Sequence, residues 1–243
     1  MHSGAANYGS DAFTSVAVGD INGDGILDLA VADWDNETFG VMLGKGDGTF
    51  QPVVEYAAGL DPESVVLADF NVDGRLDAVI ANSFSNNVSV LLGNGDGTFR
   101  PAVNYVTGAS PYCVVVGDFN GDGKLDLAVA NSGANTVSIL LGNGDGTFRA
   151  MTTYSAGTSP TSLAVGDFNV DGKLDLAVAN SGDGTVSILL GKGDGTFEVP
   201  LNYSAGTLTQ RIDRFESRRH FFAIRYLVQS QTLAMGKPSA GFL

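Results

Sequence analysis

Apolar and polar positions alternate along this chain in short runs of period two, broken by clusters of Gly, Asp, Asn and Ser. In one such run Val114 and Val116 share a face, and the same places hold Val16 and Val18, Val65 and Leu67, and Leu163 and Val165. The next run alternates Leu125, Leu127 and Val129 with Asp126, Ala128 and Ala130. Both of its faces are small or apolar, which predicts a strand buried on two sides. A third run carries Val137, Ile139 and Leu141 and ends in Gly142-Asn143-Gly144-Asp145-Gly146-Thr147-Phe148, whose Asp-Gly step predicts a hairpin. The fourth runs from Val103 to Tyr105 and is echoed at Tyr56, Tyr154 and Tyr203. Alanine at many inner positions predicts closely packed sheets.

These four runs recur as a set. The stretch Asp118-Phe119-Asn120-Gly121-Asp122-Gly123-Lys124-Leu125-Asp126 has counterparts beginning at Asp20, Asp69 and Asp167, each 49 residues from the next. A fixed step of that size marks a repeat architecture. Four antiparallel strands per repeat describe one propeller blade, which cannot cover its own faces and must stack on neighbours. The predicted fold is therefore all-β: a β-propeller of four-stranded antiparallel blades built from four 49-residue repeats. Four blades form either a small closed ring or an incomplete one, and an incomplete ring leaves open blade edges as a route to self-association. Ala5–Gly9 resembles an additional fourth strand, with Tyr8 in the tyrosine place.

In an up-and-down meander, the acidic stretch (first strand to second) and the Asp-Gly hairpin (third to fourth) emerge at one end of the blade. The acidic stretch packs three carboxylates and an amide oxygen into nine residues, with a glycine that lets the backbone turn. Hard oxygen donors in that number suit calcium better than magnesium. In the third repeat Asp118, Asn120 and Asp122 each offer a side-chain oxygen, Lys124 its backbone carbonyl, and Asp126 one or both carboxylate oxygens. Two carboxylates about 5 Å apart repel by roughly 3 kcal/mol at an effective dielectric of about 20, so each loop favours a cation or protonation. An EF-hand would need Glu at loop position 12, where Val31, Ile80, Val129 and Val178 stand. Plain surface turns share this composition. Against that reading, the side-chain donor positions of all four loops hold Asp or Asn in the same order.

The loops at the other end of each blade differ from repeat to repeat. Trp34 is the one tryptophan and replaces a serine of the other three repeats, while Phe84 and Tyr112 also break the pattern. Aromatic side chains on loops suit contact with a sugar or a protein, which makes these three the candidate ligand-binding residues.

The formal charge of −14 is largely accounted for by the loops, which hold twelve of the 27 acidic residues. Nothing in this balance invites nucleic acid. The single cysteine, Cys113, stands where other repeats have Ser15, Ser64 and Ser162, and reads as a small strand residue. The chain has no apolar run long enough for a membrane span, and Met1 to Phe13 lacks the apolar core of a secretory signal peptide. Residues 207–243 form a separate tail. Residues 1–206 carry 7 basic and 25 acidic residues, the tail 6 and 2. A fifth acidic loop would begin at residue 216, which is Glu216 in a basic stretch. The tail is expected to be a basic amphipathic helix, a disordered segment, or the product of a one-base slip near Thr207. Such a slip would convert Leu208-Thr209 into the Ser-Pro seen at Ser110-Pro111 and Ser159-Pro160.

The pattern V-x-x-G-D-F-N-x-D-G-x-L-D-L-A-V-A-N, followed by V-S-x-L-L-G-N-G-D-G-T-F, resembles the FG-GAP/VCBS repeat family, related to the calcium-binding blades of integrin α-subunit propellers. The resemblance covers roughly residues 12 to 206. It implies up to four calcium ions, held by Asp20, Asn22, Asp24, Asp28 and the Ile26 carbonyl; by Asp69, Asn71, Asp73, Asp77 and the Arg75 carbonyl; by Asp118, Asn120, Asp122, Asp126 and the Lys124 carbonyl; and by Asp167, Asn169, Asp171, Asp175 and the Lys173 carbonyl. It also implies an extracellular or cell-surface module that adheres to a protein or glycan. Rings in this family commonly close with about seven blades, and this chain has four acidic loops.

The leading functional expectation is thus a non-enzymatic, calcium-stiffened interaction module. The alternative is the propeller of a polysaccharide lyase or hydrolase. Asp35, Glu37, Asp61, Glu63 and Asp183 break the repeat and could supply acid or base groups, but no pair of them has a spacing that reads as catalytic.

Overall fold

The computed structural model describes residues 13–205. Ala5–Gly9 and the basic tail, with the readings attached to them, lie outside the described residues. Four antiparallel four-stranded sheets follow one another along the chain, each in simple meander order. Blade 1 comprises β1 (Phe13–Gly19), β2 (Asp28–Asp33), β3 (Thr38–Met42) and β4 (Val54–Ala57). Blade 2 comprises β5 (Pro62–Ala68), β6 (Asp77–Asn82), β7 (Asn87–Leu91) and β8 (Val103–Val106). Blade 3 has β9 (Pro111–Gly117), β10 (Asp126–Asn131), β11 (Thr136–Leu140) and β12 (Thr152–Ser155). Blade 4 has β13 (Pro160–Gly166), β14 (Asp175–Asn180), β15 (Thr185–Leu189) and β16 (Leu201–Ser204). The described residues contain no helix.

The two-sided apolar character of the second run has the expected consequence, since every residue of β6 and of β10 is buried. The first strands β1, β5, β9 and β13 neighbour one another in chain order. Small residues let the sheets approach: Ala78, Ala81, Ala128 and Ala130 are fully buried between blades. One apolar layer joins blades 1 and 2 through Ala30, Phe39 and Val41 on one side and Val65, Ile80 and Leu91 on the other. Equivalent layers join blades 2 and 3 and blades 3 and 4. Hydrogen bonds cross the same junctions. The Val65 N–H donates to Ser15 Oγ at 3.2 Å and the Val114 N–H to Ser64 Oγ at 3.3 Å.

The hairpin after the third strand is longer than the Asp-Gly step suggested. A tight turn is closed by an isolated bridge, Gly142 to Phe148 in blade 3, and the fourth strand starts only afterwards at Thr152. The turn serves as a plug between blades. Phe148 meets Phe70 and Tyr105 of the preceding blade edge-on at 5.6 and 5.5 Å, and Phe197 meets Phe119 and Tyr154 at 5.7 and 5.4 Å. Such contacts add about 1 kcal/mol each beyond the area they bury. The backbone follows the side chain, with the Gly146 N–H donating to the Phe70 carbonyl and the Gly195 N–H to the Phe119 carbonyl.

The glycine that opens this turn is required by proximity. A Cβ on Gly142 would lie 2.1 Å from the Leu125 carbonyl oxygen, and Gly93 and Gly191 face Leu76 and Leu174 in the same way. A backbone oxygen cannot move aside as a flexible side chain could. We therefore expect Gly142→Ala to lower unfolding stability by about 3 kcal/mol, the cost of overpacking against an unyielding neighbour, measured by urea denaturation. A loss below about 1 kcal/mol would show that the turn relaxes freely.

Candidate metal centre and the opposite loop face

The acidic loop connects β9 to β10, and its side chains fold back onto its own backbone. In the third repeat Asp118 Oδ1 accepts from the Gly121 and Asp122 amides and Asp118 Oδ2 from the Gly123 amide at 2.8 Å. Asn120 Oδ1 accepts from the Asp122 N–H, and Asp122 Oδ1 from the Lys124 N–H at 3.0 Å. At the blade end Asp122 is exposed and Asp118 and Asn120 are half-buried. The same network recurs on Asp20, Asn22 and Asp24, and in the second and fourth repeats without the bond from the fourth loop residue.

The ninth residue of each loop behaves differently. Asp28, Asp77, Asp126 and Asp175 are fully buried. Asp126 Oδ2 accepts from the Phe119 N–H at 2.9 Å and Oδ1 from the Gly142 N–H at 2.8 Å. One carboxylate therefore ties the start of the acidic loop to the plug turn, and the other repeats make the same pair of bonds. Burial pushes the carboxyls of Asp77 and Asp126 above the ordinary value of 3.8, and the charges of Asp73 and Asp69, or of Asp122 and Asp118, push the same way against the amide bonds. A raised carboxyl binds its proton more tightly in the folded state. Without a cation this term weakens folding as the pH rises from 3.8 through the raised values.

Among the described residues no three acidic or histidine side chains converge on a point that would hold a metal ion. The exposed loop oxygens accept loop amides, and the buried aspartate accepts two more. Asp118 Oδ2, Asn120 Oδ1 and Asp122 Oδ1 accept one amide each and keep a second lone pair, and the donor set is hard, anionic and electrostatically coupled to a buried carboxyl. On chemistry, the residues fit a calcium ion.

Loop position four separates the repeats. Gly23 and Gly121 occupy it at φ of 76° and 72°, but Val72 and Val170 hold it at 58° and 61°. A β-branched residue there is strained by on the order of 1 to 3 kcal/mol. Both valines are also exposed, at 70% and 89%.

At the other blade end the aromatic candidates lie on one side of the array. Trp34 and Phe84 are exposed on the loops after β2 and β6, at 46% and 69%. Tyr112 is half-buried and occupies the irregular position of β9, where the pairing with β10 skips from Cys113 to Pro111. Bulges of this kind re-aim a side chain. Cys113 is buried, as a small strand residue would be. Sequence reading missed a buried polar pair at this end: Asn82 Nδ2 donates to Ser89 Oγ, Asn131 to Ser138 and Asn180 to Ser187, at 2.8 to 2.9 Å. Its signal was present, since in the second, third and fourth repeats an Asn ends the second run and a Ser sits inside the third, where the first repeat has Asp33 and Gly40. An open groove of about 470 Å³ beside β12 and the approach to β16 is lined by Tyr154, Phe197 and Asn202, with Glu198 as its one carboxylate.

A profile described as FG-GAP-like repeat matches four overlapping stretches, residues 20–80, 69–129, 118–178 and 167–213. The chain belongs to the FG-GAP-like repeat family. No curated protein matches it. Solved structures of similar fold include a protein from Lactobacillus plantarum, 14% identical over 82% of this chain and 57% of that one, with a TM-score of 0.61. The periplasmic gluconolactonase PpgL of Pseudomonas aeruginosa is 21% identical over 78% of this chain and 53% of its own, with a TM-score of 0.59. A putative 6-phosphogluconolactonase of Bacteroides fragilis is 16% identical over 77% and 54%, also at 0.59. At these identities the likeness is one of fold, and this FG-GAP-like chain spans a little over half the length of the structures it matches.

Two local expectations follow. Asp96 is held below 3.8 chiefly by the Thr98 hydroxyl, which donates to Asp96 Oδ1 at 2.6 Å, and next by the Thr98 amide. What this pair contributes to stability is present above 3.8 and is lost as the pH falls through the lower folded value. Thr98→Val should move the Asp96 midpoint upward in an NMR titration, and an unmoved midpoint would contradict the assignment. Val72→Gly should raise the stability of metal-free protein by about 1 kcal/mol, the relief of backbone strain exceeding the added unfolded-state entropy. A loss of stability would mean that the valine is held in place by something other than the turn.

Proposed function

We propose that this FG-GAP-like chain is a calcium-binding, non-enzymatic interaction module that works outside the cell. Its acidic loops take up calcium, and its opposite loops meet a protein or glycan through Trp34, Phe84 and Tyr112. The observation that carries the reading is the fourfold recurrence of one donor set beside a buried carboxylate with two backbone bonds. Calcium would supply positive charge to a loop whose Asp118 and Asp122 charges act on the buried Asp126. The chain itself does the positioning. Asp118, Asn120 and Asp122 shape the loop through its amides, Lys124 presents its carbonyl, and Asp126 couples the loop to the plug turn. Cation uptake at one blade end would thereby stiffen the sheet that displays the variable loops at the other.

A second reading, a hydrolase or lyase on the same scaffold, is favoured by the lactonases among the structural neighbours, whose activity is their own. The groove beside β12 has Glu198 as its one acidic side chain, where general acid and base work asks for a second group.

Titration calorimetry on chelator-stripped protein should register up to four calcium ions, and EDTA should lower the melting temperature. A site filled at about a hundred times its dissociation constant contributes about 2.7 kcal/mol. No heat of binding together with an unchanged melt would end the calcium reading. Turnover of a lactone or polysaccharide, lost on Glu198→Gln, would favour the enzyme instead.

A further inference from the structure

The joints between blades at the variable-loop end share one backbone and differ in chemistry. Where blades 2 and 3 meet, Asn86 Oδ1 accepts the Ser110 N–H at 2.8 Å, and where blades 3 and 4 meet, Asn135 Oδ1 accepts the Ser159 N–H at 2.8 Å. These four residues all hold φ between 50° and 57°. Where blades 1 and 2 meet, the same two places are taken by Glu37 and Asp61, at φ of 56° and 53°. A neutral side-chain bond to the backbone in two joints thus gives way to two carboxylates in the third. Glu37 is exposed and Asp61 half-buried. The one ion pair among the described residues, Lys173 with Asp171, lies at the other blade end.

That joint is also apolar beside its charge. Phe84 and Leu60 are 69% and 38% exposed, and the Phe84 N–H donates to the Leu60 carbonyl. The equivalent backbone bonds run from Gly133 to Ala109 and from Gly182 to Thr158, so the large apolar pair belongs to this joint alone among the three. Trp34, three residues before Glu37, adds a further exposed ring.

Charge is divided between the two blade ends. Every Lys and Arg among the described residues lies on an acidic loop or at a plug turn, from Lys45 to Lys192. The variable-loop end of blades 1 and 2 carries Asp35, Glu37, Asp61 and Glu63 and, among the described residues, no cation. Calcium in the acidic loops would sit at the far ends of the strands and leave this charge in place. A neutral sugar stacked on Phe84 would strip water from the carboxylates without neutralising them, which costs free energy. A Lys or Arg side chain meets both demands, since its stem covers apolar surface while its charged head faces carboxylates and aromatic rings.

We propose that this joint binds a basic segment of a partner protein, seating a Lys or Arg stem on Leu60 and Phe84 and its charged head at Glu37 and Asp61, an assignment that rests on reading the variable loops as the binding surface. The full chain, in calcium, is titrated into fluorescent peptides that carry Lys or Arg around a single Leu, and into matched peptides with Gln or Glu in place of the cations. Fluorescence anisotropy should show binding of the basic peptides alone, weakening as salt rises from about 0.05 to 0.5 M. Glu37→Gln and Asp61→Asn should each weaken it about two- to fivefold, and Phe84→Ala about fivefold, with the strand signal in circular dichroism unchanged. Glu55→Gln, which removes an exposed carboxylate of β4 away from the joint, should change nothing. Basic peptides held no more tightly than their Gln versions, or held equally by a Glu37→Gln, Asp61→Asn double variant, overturn the proposal. A neutral glycan retained on an array and released by Phe84→Ala, with no basic peptide bound, overturns this partner and leaves the binding surface standing. If neither peptide nor glycan binds, both fall.

Discussion

The structure depends on a buried carboxylate that holds two turns together. In every blade the last aspartate of the acidic loop accepts one N–H from the residue following the first loop aspartate and another from the glycine that opens the plug turn. Burying a charge without partners would cost several kcal/mol, and two charge-assisted bonds offset much of that. The glycine is part of the same device, because a side chain at Gly142 would collide with the Leu125 carbonyl. Remove either member and the acidic loop and the plug lose their common anchor.

From this anchor the inter-blade packing follows. A fixed plug turn places Phe148 or Phe197 against the Phe and Tyr of the preceding blade, and that wedge brings the alanine-rich second strands within van der Waals reach of the next sheet. The acidic loop and the packing are therefore parts of one construction. A cation drawn to Asp118 and Asp122 would act on the group that orders the wedge. The variable loops lie at the far ends of the same strands.

The same logic explains the two ends of the array. Each blade exports one apolar face and receives another, and among the described residues blade 4 has no following blade and blade 1 no preceding one. The exposure of Phe168 and Tyr203 at one end, and of Val16 and Val18 at the other, follows from equal repeats placed in unequal surroundings.

Much of this was legible in the residues. A 49-residue period, four alternating runs per period and two-sided apolar second runs determine a series of four-stranded blades, because a sheet with two apolar faces is stable only between neighbours. The donor order of the acidic loops was equally plain, since ligand chemistry resides in residue type and spacing. Three things were decided by tertiary structure alone. The ninth loop aspartate is a buried tie between two turns, because the plug glycine that meets it is 16 residues away in the chain. The Asp-Gly step closes a wedge against the previous blade before any fourth strand begins, because its phenylalanine finds an aromatic pair belonging to another repeat. And identical positions are buried in one blade and bare in another, since exposure depends on what lies alongside, which no repeat unit encodes about itself.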